Sequence, residues 1–533
     1  MLSISSYFSV AYLGIFLPLT ILLYAILPKP LRRGVLLLAS YLFFFFLSGK
    51  LLVFLLVSTV SIYAIGLWLD KLQQACSEKL KSAEHAQRKA LRKAYQLRKR
   101  WVLALGALIN LGILLTLKYT PFFASLCNLL LTHLPGDYQL TVPSFVLPIG
   151  ISFYTMQAMS YLFDVYWSKI PADRNLLRLA LYMSFFPQLM EGPICRWSDT
   201  AERIYDAPPI QFTAFKAGAW RILWGMVKKI VVADRINLLV KTVFNQYESY
   251  DGFVIALAAV CYTLQLYMDF SGTIDVAIGT GQIFGIELKE NFRQPFFSRS
   301  ISEFWRRWHI TLGAWLKDYI FFPVSMAGFV KRFSTASRKR LGKHLGSVLS
   351  SSIALFCVWV CNGLWHGAAL QYLFYGMYHF TLILSGELLA PLFGRITTRL
   401  GISRDSRPFH LWQMFRTTVL VCVGELFFAA NGLRTGFAMF RKIFNNFTLN
   451  TLQDGTLFTL GMDRHDFLLV ALMTVFFCVI SVCKENGIAL DRQIEKKNTV
   501  IRFAAYYLPI MLIIVFGAYG SGYVAVDPMY ASF

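Results

Sequence analysis

Charge is scarce in this chain. Of 533 residues only 15% are Asp, Glu, Lys or Arg, while 56% are hydrophobic and mean hydropathy is +0.53. A soluble domain carries about 25% charged residues, so a water-soluble fold is excluded. Acids are scarcer than bases, 29 against 52, which leaves a net charge of +23. The nine cysteines lie mostly inside apolar runs (Cys127, Cys261, Cys357, Cys361, Cys422, Cys478), with no Cys-X-X-Cys pair and no metal-ligand spacing. A disulfide framework and a zinc site are therefore not indicated. Internal repeats, low-complexity tracts and a second soluble domain are also lacking. No basic stretch precedes the first apolar run, near 7–27, and no small-residue cleavage site follows it. That run reads as a retained span, not a cleaved signal.

What is present is a series of apolar runs of spanning length, roughly 17–25 residues each. They fall near 8–27, 31–48, 51–70, 102–118, 146–166, 252–270, 346–363, 369–389, 411–430, 466–483 and 502–520. Lipid offers a backbone no hydrogen-bond partner, so such runs must be helices. The expected fold is an all-α polytopic membrane protein of about 11–13 membrane segments. Residues 1–533 read as a single integral membrane domain, with extra C-terminal membrane helices in 400–533.

Lys and Arg cluster between the runs: in 28–33, densely in 71–101, then in 331–343, 395–407 and 492–497. The positive-inside rule puts these loops in the cytoplasm. Segments 120–145 and 431–465 and the C-terminus then fall outside, and the first of these contains no Lys or Arg. Contact with anionic lipid headgroups is a by-product of this distribution. Nucleic acid is not an expected partner. A binding surface for it would interleave stacking aromatics with the basic run, and 71–100 has only Tyr95. The whole of 73–100, free of Gly and Pro, reads as one exposed basic helix.

The centre is less regular. Stretches near 176–190, 216–238, 274–286 and 296–325 are short, or carry Arg221, Lys228, Asp234, Asp269, Asp275, Arg306, Arg307 and Asp318 among apolar residues. Charge at membrane depth is costly, so these groups should pair or face a cavity. With Pro148, Pro187, Pro193, Gly272, Pro295 and Pro323 nearby, broken or re-entrant helices are expected.

Histidines number only eight. His366 ends a long apolar run with no charged residue for many positions on either side. It could take a proton from a hydroxyl attacking an acyl carbonyl. Asn362, four residues earlier, shares its helix face and could orient the ring or bind an oxyanion. The alternative is a histidine hydrogen-bonding between packed helices, and the residue alone leaves both readings open. His309 lies in a segment with Trp305, Trp308, Arg306 and Arg307. By itself this reads more readily as an interfacial anchor than as a mouth that holds an anionic donor. His379 reads as a packing residue on the following span.

Four blocks together resemble the membrane-bound O-acyltransferase superfamily, in its bacterial branch of alginate O-acetylases and teichoic acid D-alanyl transferases. Phe185-Phe-Pro-Gln-Leu-Met-Glu-Gly-Pro-Ile194 is similar to the family's FFPxxxxGPI. Tyr267-Met-Asp-Phe-Ser-Gly272 with Asp275 is similar to its YxDFSGYSD block, with Thr273 replacing Tyr. Asn291 to Phe296, Ser302 to Leu312 and Trp315 to Ile320 are similar to its NFxxPF…FWRRWHISL…WLRDYIY stretch. Gly363-Leu-Trp-His-Gly-Ala368 with Gly376 and His379 is similar to its GLWHGA…WGxxHG block.

The resemblance implies an acyltransferase core over 145–380 around a central tunnel, and a place in the cell's inner (cytoplasmic) membrane. His366 and His309 would be the catalytic histidines. Asn362, Trp365, Asp269, Asn291, Trp305, Arg306 and Arg307 would bind substrate. No bound cofactor or metal is implied. The acyl group would come from a cytosolic thioester, acetyl-CoA or an acyl-carrier protein, and pass to a hydroxyl of an extracytoplasmic glycan. A periplasmic or cell-surface transferase would be a partner. Chain length favours acetyl transfer to a polysaccharide over D-alanyl transfer to teichoic acid. A transporter or flippase without covalent chemistry is the rival of another class, though transporters typically show two related halves.

Overall fold

Each long apolar run becomes a helix, since only a helix satisfies its own backbone in lipid. The computed structural model describes residues 4–131 and 139–519. Among them there is no strand, only an isolated bridge between Phe292 and Trp308. Each span read from the sequence contains a helix, and among the described residues eight helical stretches are long and apolar enough to cross a membrane. The smaller number has three causes. Tyr12–Ile26 and Ile151–Tyr166 are shorter than a full span, and two expected spans run on as one helical stretch, Lys29–Ser82.

The chain divides into two compact units. One comprises the described residues through Arg221 together with Ala277–Lys289, and the other Ile222–Val276 and the described residues from Glu290 onward. In the first, a π-helical turn (Tyr12–Phe16) leads into α1 (Leu17–Ile26), α2 (Lys29–Ser48), α3 (Leu52–Ser82) and α4 (His85–Leu131). After these come α5 (Ile151–Tyr166), α6 (Leu176–Ser184), α7 (Phe186–Leu189), α8 (Trp197–Asp206) and α9 (Phe212–Met226), whose last residues enter the second unit. The 185–194 block is its buried centre. Phe186 meets Phe16 edge-on at 5.4 Å, and the Tyr7 hydroxyl donates to Phe186 O at 2.8 Å. Glu191 is fully buried there.

The basic stretch 73–100 is not one helix, as the sequence suggested. α3 runs to Ser82, the chain turns at Ala83, which is extended, and α4 begins at His85. Lys79 and Lys81 in the last turn of α3 complement the negative end of its dipole.

In the second unit a π-helical segment (Val227–Ala233) joins α9 to α10 (Asp234–Asn245), followed by α11 (Gly252–Ile283), whose residues from Ala277 on belong to the first unit. The expected separate segment at 274–286 does not exist: α11 continues through it to Ile283. Beyond are the short α12 (Ile301–Arg307), α13 (Ile310–Leu316) and α14 (Phe322–Ser325), and then α15 (Gly328–His366), α16 (Leu370–Arg399) and α17 (Arg407–Ala429). The remainder is α18 (Leu433–Asn445), α19 (Asn450–Gln453), α20 (Arg464–Glu485), α21 (Leu490–Glu495) and α22 (Thr499–Phe516). α15 is two limbs meeting at Gly342, whose φ of 81° is open to glycine at little cost. The basic cluster 331–343 covers much of the first limb and the bend, and His366 ends the second limb.

Several embedded charges of this unit pair with one another. Lys228 bonds Asp275 at 2.6 Å, and Lys229 lies 2.7 Å from Asp234 and 3.2 Å from Asp269. Arg235 pairs with Asp466 and donates to Phe516 O at 2.7 Å, which ties the end of α22 to α10.

The Lys/Arg asymmetry predicts that 71–100 and 331–343 are cytoplasmic, and that 120–145, 431–465 and the C-terminus are outside. Residues 132–138 and 520–533 lie outside the described residues. Reporter fusions at Lys89 and Asn446 should report opposite sides; the same side for both would refute this orientation.

Candidate active site

Two glycines set the position of His366. A Cβ on Gly363 would lie 2.5 Å from Tyr372 O, and one on Gly376 would lie 2.3 Å from Trp359 O. Helices α15 and α16 therefore pack backbone to backbone, as small residues permit in membranes. His366 ends α15 just before the corner into α16 and is 3% exposed. Its imidazole is walled by rings: Trp365 at 4.9 Å, Phe428 at 5.1 Å and Tyr375 at 5.9 Å, all edge-to-face. Such pairs contribute about 0.5–1.5 kcal/mol each beyond burial, so the ring is held in one orientation.

His309 is built differently. It links α12 to α13 with φ 47° and ψ 51°, the left-handed region that costs a non-glycine residue about 1–2 kcal/mol. Asn291 offsets that cost. Its Oδ1 accepts from Thr311 N and Thr311 Oγ1, both at 3.0 Å, and its carbonyl accepts from Ile310 N at 3.0 Å. The bridge between Phe292 and Trp308 and the Arg293 N to Arg307 O bond (2.9 Å) close the turn.

His309 Nδ1 lies 3.2 Å from the same Asn291 Oδ1. A backbone N–H donates to that oxygen, so it is an acceptor, and Nδ1 must carry the proton. The lone pair of the neutral ring then sits on Nε2. His309 is 1% exposed and outside the eight spanning stretches, and burial pushes its pKa down to about 3. The ring is neutral at physiological pH.

Trp365 joins the two histidines. Its ring lies 5.3 Å from His309 and 4.9 Å from His366. Residues more than fifty positions apart thus flank one indole, with Phe270 closing the other side of His309 at 4.8 Å. A second pair lies alongside. Trp305 Nε1 donates to His379 Nδ1 at 3.2 Å, and His379 stacks on Trp359 at 5.5 Å. Indole N–H only donates, so His379 carries its proton on Nε2, the reverse of His309.

The other residues singled out from sequence divide by environment. Asn362 is buried one turn before His366, and its Oδ1 has no hydrogen-bond partner among the described residues. Asn291 sits beneath His309 as its clamp. Asp269 is held by Lys229. Arg307 makes a two-pronged bond to Glu485, 2.8 Å for each nitrogen, and also reaches Glu303 at 2.8 Å. That fork is occupied within the protein. Arg306, its neighbour, is exposed. The structure thus gathers His366, Trp365, His309 and Asn291 in one cluster and sets Arg307 and Asp269 in ion pairs.

Comparison with known proteins bears on what such a cluster does. Residues 37–337 match the model of the membrane-bound O-acyltransferase family, more than half of the chain. The chain belongs to this family. It is an O-acyltransferase, a multi-pass protein of the bacterial inner membrane. A probable alginate O-acetylase of Pseudomonas aeruginosa is 32% identical over 456 residues, 84% of this chain and 78% of that protein. A peptidoglycan O-acetyltransferase of Helicobacter pylori is 30% identical over 405 residues, 71% of this chain and 68% of its own length. A teichoic acid D-alanyltransferase of Bacillus subtilis is 28% identical over 254 residues, covering 44% of this chain and 58% of its own.

A membrane-bound O-acyltransferase treats its acyl donor as a substrate, and the cluster here holds two buried imidazoles in a wall of rings. Sequence reading missed three residues of that wall: Tyr375, Phe428 and Glu425. Glu425, 1% exposed, accepts from the Tyr375 hydroxyl at 2.8 Å. It is the only charged residue in 417–430. An acid inside an apolar span was the available signal.

Proposed function

We propose that this chain transfers an acetyl group from a cytosolic thioester, acetyl-CoA or an acyl-carrier protein, to a hydroxyl of a cell-surface polysaccharide, with His366 as general base. The observation that carries the reading is the buried cluster in which Trp365 separates His366 from His309. His366 takes the proton of the acceptor hydroxyl as its oxygen attacks the thioester carbonyl carbon. The carbon–sulfur bond breaks, and the leaving thiolate takes up that proton. The Asn362 carboxamide, on the same helix face, donates to the oxyanion. His309, held neutral by burial, orients the donor side through the shared indole, and exposed Arg306 attracts the donor's phosphates. A tunnel through the helices would bring donor and acceptor together from opposite faces, and an extracytoplasmic transferase would complete delivery to the glycan.

Acetyl transfer is favoured over D-alanyl transfer because the O-acetylating relatives match over most of this chain and the D-alanyltransferase over less than half. Mild alkali releases ester-linked acetate and ester-linked D-alanine alike. Cells lacking the native copy and complemented with this chain should release acetate from surface polysaccharide. Release of D-alanine instead would transfer the assignment to teichoic acid modification. Release of neither would remove the acyl-transfer reading.

A further inference from the structure

Glu425 has no part in that chemistry, yet it is placed against it. The carboxyl is buried in α17 among apolar side chains. Oε1 accepts from Tyr375, and Oε2 has no partner among the described residues. A carboxyl in such surroundings is costly, and a leucine would fill the same space without that cost. Its neighbours suggest what it does. Phe428, three residues on and so on the same face of α17, meets His366 at 5.1 Å and Tyr375 at 5.0 Å. Tyr375 in turn packs edge-to-face with His366 at 5.9 Å and lies 4.6 Å from His379. Gly424 lets α17 close on this group, since a Cβ there would come within 3.0 Å of His379 Nε2 and 3.1 Å of the Tyr378 ring. One face of α17 therefore delivers a ring that touches the base and an acid that anchors a second such ring by its hydroxyl.

We propose that Glu425 is a positioning residue for acyl transfer: by holding the Tyr375 hydroxyl it locks the aromatic wall that keeps the His366 imidazole in its working orientation. The proposal rests on His366 being the base. Packing alone would hold Tyr375 loosely about its long axis, whereas a bond at the phenol tip fixes both ends of the ring. A small tilt of the base matters, because misplacement by about 1 Å can cost about 100-fold in rate.

The test is the initial rate at which labelled acetate enters envelope polysaccharide in cells, per molecule of protein, with the melting midpoint of each purified variant in detergent. Tyr375→Phe keeps the ring and deletes only the hydroxyl, and Glu425→Leu deletes the acceptor. Each should lower the rate by about 10- to 100-fold, with the double variant no slower than either. Glu425→Gln keeps an acceptor oxygen for Tyr375 and should recover the rate to within a few-fold. Tyr375→Phe should melt near the wild-type temperature even as its rate falls. A wild-type rate in Tyr375→Phe overturns the proposal, as does a Glu425→Gln variant as slow as Glu425→Leu. If Glu425→Leu fails to insert, the other two variants decide. Continued labelling by His366→Gln would instead remove the base assignment. Loss in His366→Gln with no loss in Tyr375→Phe would remove only the role of Glu425.

Discussion

His366→Gln is expected to reduce polysaccharide acylation by about 10²–10⁴-fold, the usual contribution of a general base, while leaving a folded, inserted protein. The expectation follows from the environment of the ring. Its contacts include edge-to-face aromatic packing with Trp365, Tyr375 and Phe428, and an amide of similar size keeps much of that packing and some hydrogen bonding. What it cannot do at neutral pH is accept the proton. Histidine hydrogen bonds within membranes are worth about 0.6–2 kcal/mol, so a purely structural His366 would give a slightly looser protein with near-normal activity. The measurement is alkali-labile acetate on surface polysaccharide, set against expression level and homogeneity after detergent extraction. Near-normal acylation by a well-expressed variant would return His366 to packing and shift the catalytic assignment to His309.

Lys229→Met should fail in the opposite way, by losing the fold. Lys229 is 1% exposed and serves two carboxylates, Asp234 and Asp269. Removing one partner of a buried ion pair leaves an uncompensated charge and costs about 3–5 kcal/mol, a large part of a stability of about 5–15 kcal/mol. The variant should extract poorly or melt well below wild type. Combining it with Asp269→Asn should recover part of the loss, because one of the two orphaned charges is gone, and Asp234 should limit the recovery. A Lys229→Met protein that melts like wild type would show that these acids are satisfied by other means. Activity does not enter this test, which keeps it independent of the histidine assignments.

Membrane class and helix placement were legible because the bilayer allows one answer to an apolar run. The expected spans near 346–363 and 369–389 appear within α15 and α16. Errors arose where composition did not mark a helix boundary. The stretch 73–100 carries no breaker, yet the chain turns at Ala83; the stretch 274–286 looked separate, yet α11 runs through it. At the site, His366 and Asn362 could be placed on one helix face by their four-residue spacing. The bond between Glu425 and Tyr375 could not be read, because fifty residues separate the partners and no periodicity links them. Arg307 shows the converse. The resemblance implied a substrate-binding arginine, and Glu485, 178 residues away, turned out to occupy the guanidinium.

The sequence by itself determined that this is an all-helical membrane protein, where its basic loops fall, and which rare polar residues stand in apolar surroundings, because transfer to lipid sets a high cost on every exception. Only the tertiary structure decided what those exceptions touch. The left-handed turn that Asn291 imposes on His309, the indole of Trp365 shared by two histidines, and the acid behind Tyr375 all depend on contacts between distant segments. Such contacts are selected by side-chain geometry after the helices have formed, and no pattern within a single helix encodes them.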